Sequence, residues 1–189
     1  MIILTGRSCS GKDTILNKLV KEYGYKSMIT YTTRPMRKNE IQHKTYHFIS
    51  NESFIKKINV DFFLEFRKYN TVDGIWYYGS AKEDYEKADD NTVIILTPSG
   101  LKSLKEYVEK YELNLEIISI YIDVDIDTIK KRLEKRGDKK EEAERRIKAD
   151  IEDFKDIELN VNSVFCNNNG VDIDDIVKHI NSYIKEKNK

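Results

Sequence analysis

The sequence predicts an α/β fold in which a parallel β-sheet is flanked by helices. Short apolar runs alternate along the chain with longer stretches in which apolar residues have helical spacing, a pattern typical of parallel strands joined by crossover helices. In addition, a glycine-containing turn follows the first apolar run and precedes the first helical pattern. This order of strand, turn and helix is the context in which phosphate-binding loops occur.

Each apolar run is followed by a helical pattern, so the predicted strands and helices alternate. The three pairs of run and helix are residues 1–5 and about 11–23, residues 91–97 and 99–111, and residues 115–124 and 125–137. A last helix is predicted over residues 171–187, because its apolar residues recur on one face. That face carries Ile173, Ile176, Val177, Ile180 and Ile184, and we expect it to pack in the core.

We predict a single domain over residues 1–189. Two of its sub-regions differ from the rest in amino-acid composition. Residues 31–88 are rich in Tyr and Phe and form short segments, which predicts an insert with a small mixed or antiparallel sheet. Residues 135–148 are nearly all charged, and Gly137 marks a helix end or hinge, so a small helical segment is expected there. The predicted core comprises residues 1–30 and 89–189.

The composition argues against several classes of partner. The chain has 33 Lys and Arg residues and 33 Asp and Glu residues, so no net charge attracts it to nucleic acid or to an anionic membrane. The N-terminus lacks the basic region of a leader, and no apolar stretch approaches the roughly 18 residues of a membrane span. We expect a cytoplasmic protein, a monomer or homodimer, with Cys9 and Cys166 as free thiols.

Residues 6–14, GRSCSGKDT, match the phosphate-binding template G-x-x-x-x-G-K-[ST] except at its last position. Glycines in such a loop let backbone N–H groups point inward at a phosphate, and the following helix N-terminus adds partial positive charge. Lys12 is expected to reach the outer phosphates. Asp13 stands where the template has the Ser or Thr that binds magnesium.

Cys9 allows a second interpretation of the same loop. Phosphatases with a reactive cysteine also hold phosphate in a loop, but they need an Arg six positions after the cysteine, and that residue here is Ile15. Cys9 is therefore interpreted as a small residue that fills the loop.

A second basic segment, TYTTRPMRKNE, covers residues 30–40. Pro35 disfavours a helix between Arg34 and Arg37, so both guanidinium groups are expected to project from an extended or turn segment. Two such groups can bind a dianionic phosphate bidentately. A solvated basic loop is the alternative interpretation.

The motifs TTRP, FLE, YYGS and RLEKRG occur in that order, and an Arg-containing charged helix follows them. Together they resemble the guanylate kinase family along almost the whole chain. The resemblance implies a P-loop kinase fold, with an insert that binds a nucleoside monophosphate (NMP) over residues 31–88 and a lid at about residues 135–148. It also implies that the enzyme transfers the terminal phosphate of ATP to GMP or dGMP.

The resemblance assigns roles to particular residues. The ATP site comprises Gly6, Arg7, Ser8, Cys9, Ser10, Gly11, Lys12, Asp13, Thr14 and Asn167. In the NMP site, the resemblance implies Arg34, Arg37, Tyr46 and Tyr78 at the phosphate, Thr30 and Ser80 near the base, and Glu65 reading guanine. Arg132, Arg136 and Arg146 would close over the phosphates, so that the catalytic set is Lys12, Arg34, Arg37, Arg132, Arg136 and Arg146.

Without the resemblance, the same residues could have structural roles instead. The arginines near the lid could be solvated helix charges, and the tyrosines could belong to the core of the insert. Glu65 could face solvent on an alternating strand. His43, His47 and His179 form no metal-binding pattern and receive no role.

The sequence departs from the family pattern at three places. Asp13 replaces Ser, Thr or Gly, and His43 replaces a glycine. At the end of the strand in residues 91–97, Ile95 and Thr97 replace two acidic residues. Thr97 can still accept a hydrogen bond from the base, but loss of the charge weakens base discrimination by roughly ten- to hundred-fold.

Ile95 cannot provide the strand-end carboxylate that helps such folds to hold magnesium. One hypothesis is that Asp13 supplies this negative charge instead, since a helix N-terminus favours an anion. The alternative is that Asp13 caps a backbone N–H and never contacts the metal.

Three functions follow in order of support. The first is ATP-dependent and Mg²⁺-dependent phosphorylation of a nucleoside monophosphate. The second is a related small-molecule kinase, such as ribose 1,5-bisphosphate phosphokinase or a broad-specificity deoxynucleotide kinase. The third is a non-catalytic guanylate kinase-like module, against which the intact Gly6, Gly11 and Lys12 argue.

Overall fold

The computed structural model describes residues 1–188. Its strands are β1 (Ile2–Thr5), β2 (Lys26–Ser27), β3 (Tyr31–Thr32), β4 (His47–Phe48), β5 (Phe63–Thr71), β6 (Gly74–Ala81), β7 (Thr92–Ile95), β8 (Ile118–Asp123) and β9 (Ser163–Cys166). Its α-helices are α1 (Lys12–Tyr23), α2 (Asn51–Asn59), α3 (Lys82–Glu86), α4 (Pro98–Lys110), α5 (Ile126–Arg136), α6 (Lys140–Asp153) and α7 (Ile173–Lys187). A short 3₁₀ helix covers Ile157–Asn160.

The described chain forms two compact units. Among the described residues, the first unit comprises residues 1–27, 89–101 and 115–188, and the second comprises residues 28–88 and 102–114. Each unit has its own β-sheet.

The first unit is built on a five-stranded sheet with the order β2-β7-β1-β8-β9, in which every pairing is parallel. The central strand β1 pairs with β7 on one side and β8 on the other, and all four of its residues are buried. Parallel neighbours require crossover connections, and helices supply them here. The predicted α/β class with a parallel sheet is confirmed.

The core of the first unit lies between this sheet and the helices α1 and α7. Ile15 and Leu19 of α1 are fully buried, and they belong to one apolar cluster with the strands and α7. The α7 residues in this cluster are Ile176, Val177, Ile180 and Ile184, with Ile173 partly buried against it. The amphipathic face predicted for the last helix therefore packs in the core as expected.

Local capping explains where α5 begins and ends. The Asp125 carboxylate accepts a hydrogen bond from the Thr128 N–H at 2.6 Å, which fixes the N-terminus of the helix. Gly137 has φ 82 and ends the helix in the left-handed conformation that glycine adopts without steric cost. As expected, Gly137 is a helix end, and the charged helix α6 follows three residues later.

The second unit contains a mixed four-stranded sheet with the order β4-β3-β6-β5. The β3–β6 and β5–β6 pairs are antiparallel, and the β3–β4 pair is parallel. A register shift between Phe63 and Glu65 marks a bulge in β5, so that Glu65 lies opposite Ser80. The bulge determines which β5 side chains share a face with those of β6.

Aromatic packing forms the core of the second unit. Phe54 of α2 is fully buried and stacks on Phe63 and Tyr77, with ring centroids 4.3 and 5.2 Å apart. A Cβ at Gly79 would lie 3.0 Å from the Phe54 ring and 3.0 Å from the Glu65 carbonyl oxygen, so this approach needs a glycine.

We predict that Phe54→Ala lowers the free energy of unfolding by about 3 to 5 kcal/mol, because it leaves a cavity between two stacked rings. The measurement is guanidinium unfolding followed by the fluorescence of Trp76, the single tryptophan, which lies in β6. Ile55→Ala is the matched control, since Ile55 is exposed on the same helix. Equal losses for the two variants would contradict the predicted core.

Candidate active site

The loop between β1 and α1 has a backbone that only particular residues allow. Gly11 has φ 92, and a Cβ there would lie 2.4 Å from the Asn167 Nδ2 atom. A Cβ at Gly6 would lie 2.5 Å from the Ser10 Oγ atom. Glycine is favoured at position 11 by its positive φ, whereas a side chain at position 6 would have to displace the Ser10 hydroxyl. Cys9 also adopts a left-handed conformation, with φ 57.

Two side chains from elsewhere in the first unit bind the carbonyl groups of this loop. The buried Asn167 donates from Nδ2 to the Ser10 carbonyl oxygen at 2.8 Å. The Arg132 guanidinium donates to the carbonyl oxygens of Cys9 (3.2 Å) and Asn167 (2.8 Å). These donors hold the loop through its carbonyl oxygens, and within the loop the Ser10 N–H donates to the Arg7 carbonyl oxygen at 3.1 Å. The sequence placed Asn167 at ATP and Arg132 over the phosphates, and the structure gives each of them these backbone contacts.

An anionic group already contacts the loop. The Ser8 N–H donates to the Asp150 Oδ2 atom at 2.7 Å, and Asp150 lies on α6. The Lys12 ammonium donates to the Arg7 carbonyl oxygen at 3.2 Å. Asp150 was missed by sequence reasoning, since one acid in a helix rich in charge carries no distinguishing signal. The loop therefore binds a carboxylate in the way that it is expected to bind a phosphate oxygen.

Polar atoms near the loop are left without a hydrogen bond. Within residues 1–188, the buried side-chain atoms with no partner are Thr5 Oγ1, Arg7 Nε and Ser10 Oγ. Arg7 also donates from its NH1 atom to Asp123, at 3.5 Å, and to the Val124 carbonyl oxygen, at 3.4 Å. The concentration of unsatisfied polar atoms at one loop is typical of a functional site.

The structure supports the interpretation of Cys9 as a residue that fills the loop. Its side chain packs against the buried cluster of Val124, Ile129 and Leu133. Burial raises the pKa of the Cys9 thiol, and the nearby charges of Arg136 and other groups offset this only in part. A protonated thiol is a poor nucleophile.

Asp13 is exposed in the first turn of α1, next to Lys12 and Thr14 of the same helix. Its negative charge contributes to the raised pKa of Arg136, after the larger effect of the hydrogen bond that Arg136 donates to Asp138. Within the described residues, no group of three or more His, Cys, Asp and Glu side chains is arranged to hold a metal ion.

The end of strand β7 provides no carboxylate. Ile95 is partly buried and packs against the core. The Thr97 hydroxyl oxygen accepts from the Gly100 N–H at 3.1 Å and is 3.0 Å from the Ser99 hydroxyl oxygen. Thr97 therefore caps the start of α4, and its hydroxyl has these local partners.

The arginines of the charged segment are paired with acids of the same segment. Arg136 donates from Nε to Asp138 at 2.6 Å, and Arg146 donates from Nε to Glu142 at 2.7 Å. Arg145 also donates to Glu142, at 2.8 and 2.9 Å. Burial alone would raise the pKa of Glu142, but the hydrogen bonds from Arg145 and Arg146 outweigh burial and lower the pKa from 4.5 to about 2.

In the second unit, a buried arginine is held by a carboxylate. Arg34 is 5% exposed, and its NH1 and NH2 atoms donate to the two Glu40 carboxylate oxygens at 2.7 and 2.6 Å. Glu40 also accepts from the Arg37 N–H at 2.7 Å, so it fixes the backbone of the segment as well. The Arg34 guanidinium carbon is 5.3 Å from the centroid of the Tyr46 ring, and the rings of Tyr46 and Tyr78 are 6.1 Å apart.

Residues predicted for the base lie on the same sheet. Glu65 is half-buried, and its Oε1 atom accepts from the Ser80 hydroxyl at 2.7 Å, with Ser80 fully buried. Pairing of Glu65 with Ser80 and of Arg67 with Tyr78 puts these four side chains on one face of the sheet. Burial raises the pKa of Glu65, and the Ser80 hydrogen bond and the Arg67 charge oppose that increase. Arg67 was missed by sequence reasoning.

Two further positions complete the site predictions. Thr30 is half-buried, and its carbonyl oxygen accepts from the His47 N–H at 2.8 Å. His43, which replaces a glycine of the family pattern, has φ 62. The backbone at position 43 thus keeps the conformation that glycine adopts most easily.

A glycine-containing loop of this sequence pattern, between the central strand of a parallel sheet and a helix, is typical of the class of P-loop kinases. A model of the guanylate kinase family matches residues 1–187. The chain therefore belongs to the guanylate kinase family, and the resemblance drawn from its motifs is confirmed.

Known relatives agree with this assignment. The guanylate kinase of Clostridium tetani is 32% identical over 144 residues, which cover 76% of this chain and 66% of that protein. That of Campylobacter jejuni strain RM1221 is 33% identical over 141 residues, covering 72% and 65%. The chain thus spans slightly less than two thirds of the length of these relatives.

A crystal structure of the guanylate kinase of Anaplasma phagocytophilum has a TM-score of 0.69 and 19% sequence identity to this chain. The alignment covers 99% of this chain and 85% of that one, and it supports the fold. Among residues 1–188, no helix is both long enough and apolar enough to cross a membrane.

We predict that Glu142→Gln lowers the free energy of unfolding at pH 7 by about 1 to 3 kcal/mol, since two arginines lose a charged partner. The folded pKa of Glu142 lies below its ordinary value, so its stabilising contribution is present above about pH 4.5 and is lost as the pH falls toward about 2. Unfolding of the two proteins is compared between pH 2 and pH 7.

Glu144→Gln is the control for this prediction, because Glu144 is exposed on the same helix. A stability difference between Glu142→Gln and the parent that stays constant down to pH 2 would contradict the proposed ion pairs.

Proposed function

We propose that the protein transfers the terminal phosphate of ATP to GMP or dGMP, giving ADP and the corresponding diphosphate. One observation carries the proposal: a buried arginine for phosphate and a half-buried carboxylate for a base lie in one small sheet-based unit, in a chain with an intact phosphate loop. Arg34 and Glu65 are these two groups.

The loop from Gly6 to Thr14 is proposed to bind the phosphates of ATP, with Lys12 at the outer phosphates. Phosphoryl transfer spreads negative charge over the equatorial oxygens, so the protein contributes mainly position and positive charge. Lys12 presently donates to a backbone carbonyl oxygen, which is a weaker partner than a phosphate oxygen. The exchange of partners therefore favours nucleotide binding.

The acceptor is proposed to bind in the second unit. Arg34, Arg37, Tyr46 and Tyr78 take its phosphate, and Glu65 accepts from the N1–H and the exocyclic amino group of guanine. Glu40 orients Arg34 through two hydrogen bonds, which reduces the freedom that the arginine would lose on binding. Thr30 and Ser80 are proposed to support the base.

Arg136 and Arg146 of the proposed lid at residues 135–148 are proposed to neutralise the phosphates during transfer. In the structure they donate to Asp138 and Glu142, so phosphate oxygens would compete with these carboxylates for the two guanidinium groups. Arg132 is proposed to act through the loop carbonyl oxygens that it binds. Closure would also exclude water that would otherwise hydrolyse ATP.

Mg²⁺ bound to ATP would supply positive charge to the phosphates. A magnesium ion held largely by nucleotide oxygens and water needs only one or two protein carboxylates. The exposed Asp13, adjacent to Lys12, fits this requirement, whereas Ile95 and Thr97 do not. We therefore keep Asp13 as the proposed residue near the metal.

The proposal includes a guanylate kinase-like domain of residues 1–189, acting in the cytoplasm as a monomer or homodimer. Relaxed base specificity is a second candidate, because the end of strand β7 has no carboxylate and base reading then depends on Glu65. A broad-specificity deoxynucleotide kinase would follow from that relaxation.

We predict ADP formation with GMP and dGMP in a coupled assay, and less with other nucleoside monophosphates and with ribose 1,5-bisphosphate. Lys12→Ala should lower kcat by about 100- to 1,000-fold, the usual effect of removing a group that stabilises the transition state. Lys21→Ala, an exposed lysine at the end of the same helix, should leave kcat unchanged. ATP binding without turnover of any acceptor would refute the kinase proposal.

We predict that Asp13→Ser raises the Mg²⁺ concentration needed for half of the maximal rate by about 3- to 10-fold, since one charged oxygen ligand is lost. A magnesium titration of the rate measures this. Asp175→Ser, which removes an exposed acid from the first turn of α7, is the control. An unchanged magnesium requirement in Asp13→Ser would show that Asp13 does not act near the metal.

A further inference from the structure

We propose that Tyr85 is a positioning residue for base recognition, which acts through Ser80 to keep Glu65 an ionised hydrogen-bond acceptor. The inference rests on the proposed function, in which Glu65 reads the base. No sequence motif pointed to Tyr85, which follows the YYGS motif by five residues.

The three side chains form a hydrogen-bonded chain within the second unit. Tyr85 lies in α3 and is 1% exposed, and its hydroxyl oxygen is 2.8 Å from the Ser80 Oγ atom. Ser80 in turn donates to the Glu65 Oε1 atom at 2.7 Å. Glu65 is the one member of the chain that is not fully buried, so it is the end that a ligand can reach.

The direction of donation in this chain is fixed by counting protons. A serine hydroxyl has one proton, and the Ser80 proton is donated to Glu65. Tyr85 must therefore be the donor to Ser80. Burial raises the pKa of the Tyr85 phenol, and the negative charge of Glu65 raises it further, so Tyr85 keeps its proton.

This chain matters because burial works against the charge of Glu65. Burial raises the pKa of Glu65, whereas donation from Ser80 and the positive charge of Arg67 lower it. Asp84 of α3 adds negative charge near Tyr85 and does not supply a proton to the chain. A donor behind Ser80 polarises the serine hydroxyl and strengthens its hydrogen bond to the carboxylate. Loss of the Tyr85 hydroxyl should therefore raise the pKa of Glu65.

The charge state of Glu65 decides which base it can bind, because it decides whether the carboxyl group only accepts hydrogen bonds or also donates one. An ionised carboxylate only accepts hydrogen bonds, and it matches the two adjacent donors of guanine, N1–H and the amino group. Adenine presents an acceptor at N1, so an ionised Glu65 rejects it. A protonated Glu65 would have a donor of its own and would lose this discrimination. Tyr85 is thus a determinant of specificity that does not itself reach the base.

The test is Tyr85→Phe, which removes only the hydroxyl, with Tyr77→Phe as the control. Tyr77 is also in the second unit and stacks on Phe54 in its aromatic core. For Tyr85→Phe we expect the KM for GMP to rise about 3- to 10-fold, which is the loss of roughly one hydrogen bond. The kcat with GMP and the KM for ATP should change by less than about 2-fold. The ratio of kcat/KM for GMP to that for AMP should fall.

The pH profile separates positioning from a merely structural role. Because ionised Glu65 is required, kcat/KM for GMP should decline as the pH falls through the Glu65 pKa. In Tyr85→Phe this decline should begin at higher pH than in the parent, and in Tyr77→Phe it should not move. Ser80→Ala breaks the chain at its centre and should move the decline in the same direction, which provides a test if Tyr85→Phe folds poorly.

Two outcomes would overturn the proposal. One is a decline of kcat/KM for GMP at low pH that begins at the same pH in Tyr85→Phe, in Ser80→Ala and in the parent. The other is a loss in Tyr85→Phe that falls equally on GMP and ATP. If the parent protein does not phosphorylate GMP, the proposed function fails, and calorimetric GMP binding then replaces kinetics as the readout for Tyr85→Phe. A parent that binds no GMP would overturn both.

Discussion

The first unit depends on one constraint: a loop that presents its N–H groups to an anion must have its carbonyl groups bound from the other side. Asn167 and Arg132 meet this constraint by donating to the carbonyl oxygens of Ser10, Cys9 and Asn167 itself. Arg132 lies on α5, and Asn167 directly follows β9, the edge strand that pairs with β8. Without these donors, buried carbonyl groups would remain unpaired, at a cost of about 1 to 3 kcal/mol each.

Several of the arginines that are expected to bind phosphate are each held in position by a carboxylate of the protein. Arg34 is bound by Glu40, and Arg146 is bound by Glu142. The two pairs differ in what a ligand requires of them. Glu40 also binds the backbone at Arg37, so it can keep its place while Arg34 takes a further partner. Arg146 donates from Nε to Glu142, and its NH1 atom lies 3.9 Å from Asp138, so a ligand at Arg146 competes with two carboxylates.

The sequence was sufficient for features that depend on local pattern, and insufficient for contacts between distant residues. The alternation of strands and helices, the buried face of α7 and the helix end at Gly137 each follow from a short window of residues. The donation from Asn167 to Ser10 joins residues 157 positions apart, and no local signal reports it. Asp150 and Tyr85 were missed for the same reason, since an acid in a charged helix and a tyrosine in a Tyr-rich segment look ordinary.

Because the Asp150 carboxylate of α6 accepts from the Ser8 N–H, an external anion at that amide competes with a group of the protein itself. Any external anion at that amide must displace a carboxylate tethered at high effective molarity, so its apparent affinity is reduced by the fraction of molecules in which the amide is open. A small anion with few other contacts recovers little of this reduction, whereas a ligand that also contacts Lys12 would recover more of it. The Asp150 carboxylate therefore favours ligands that contact the loop at several points over ligands that contact the Ser8 amide alone.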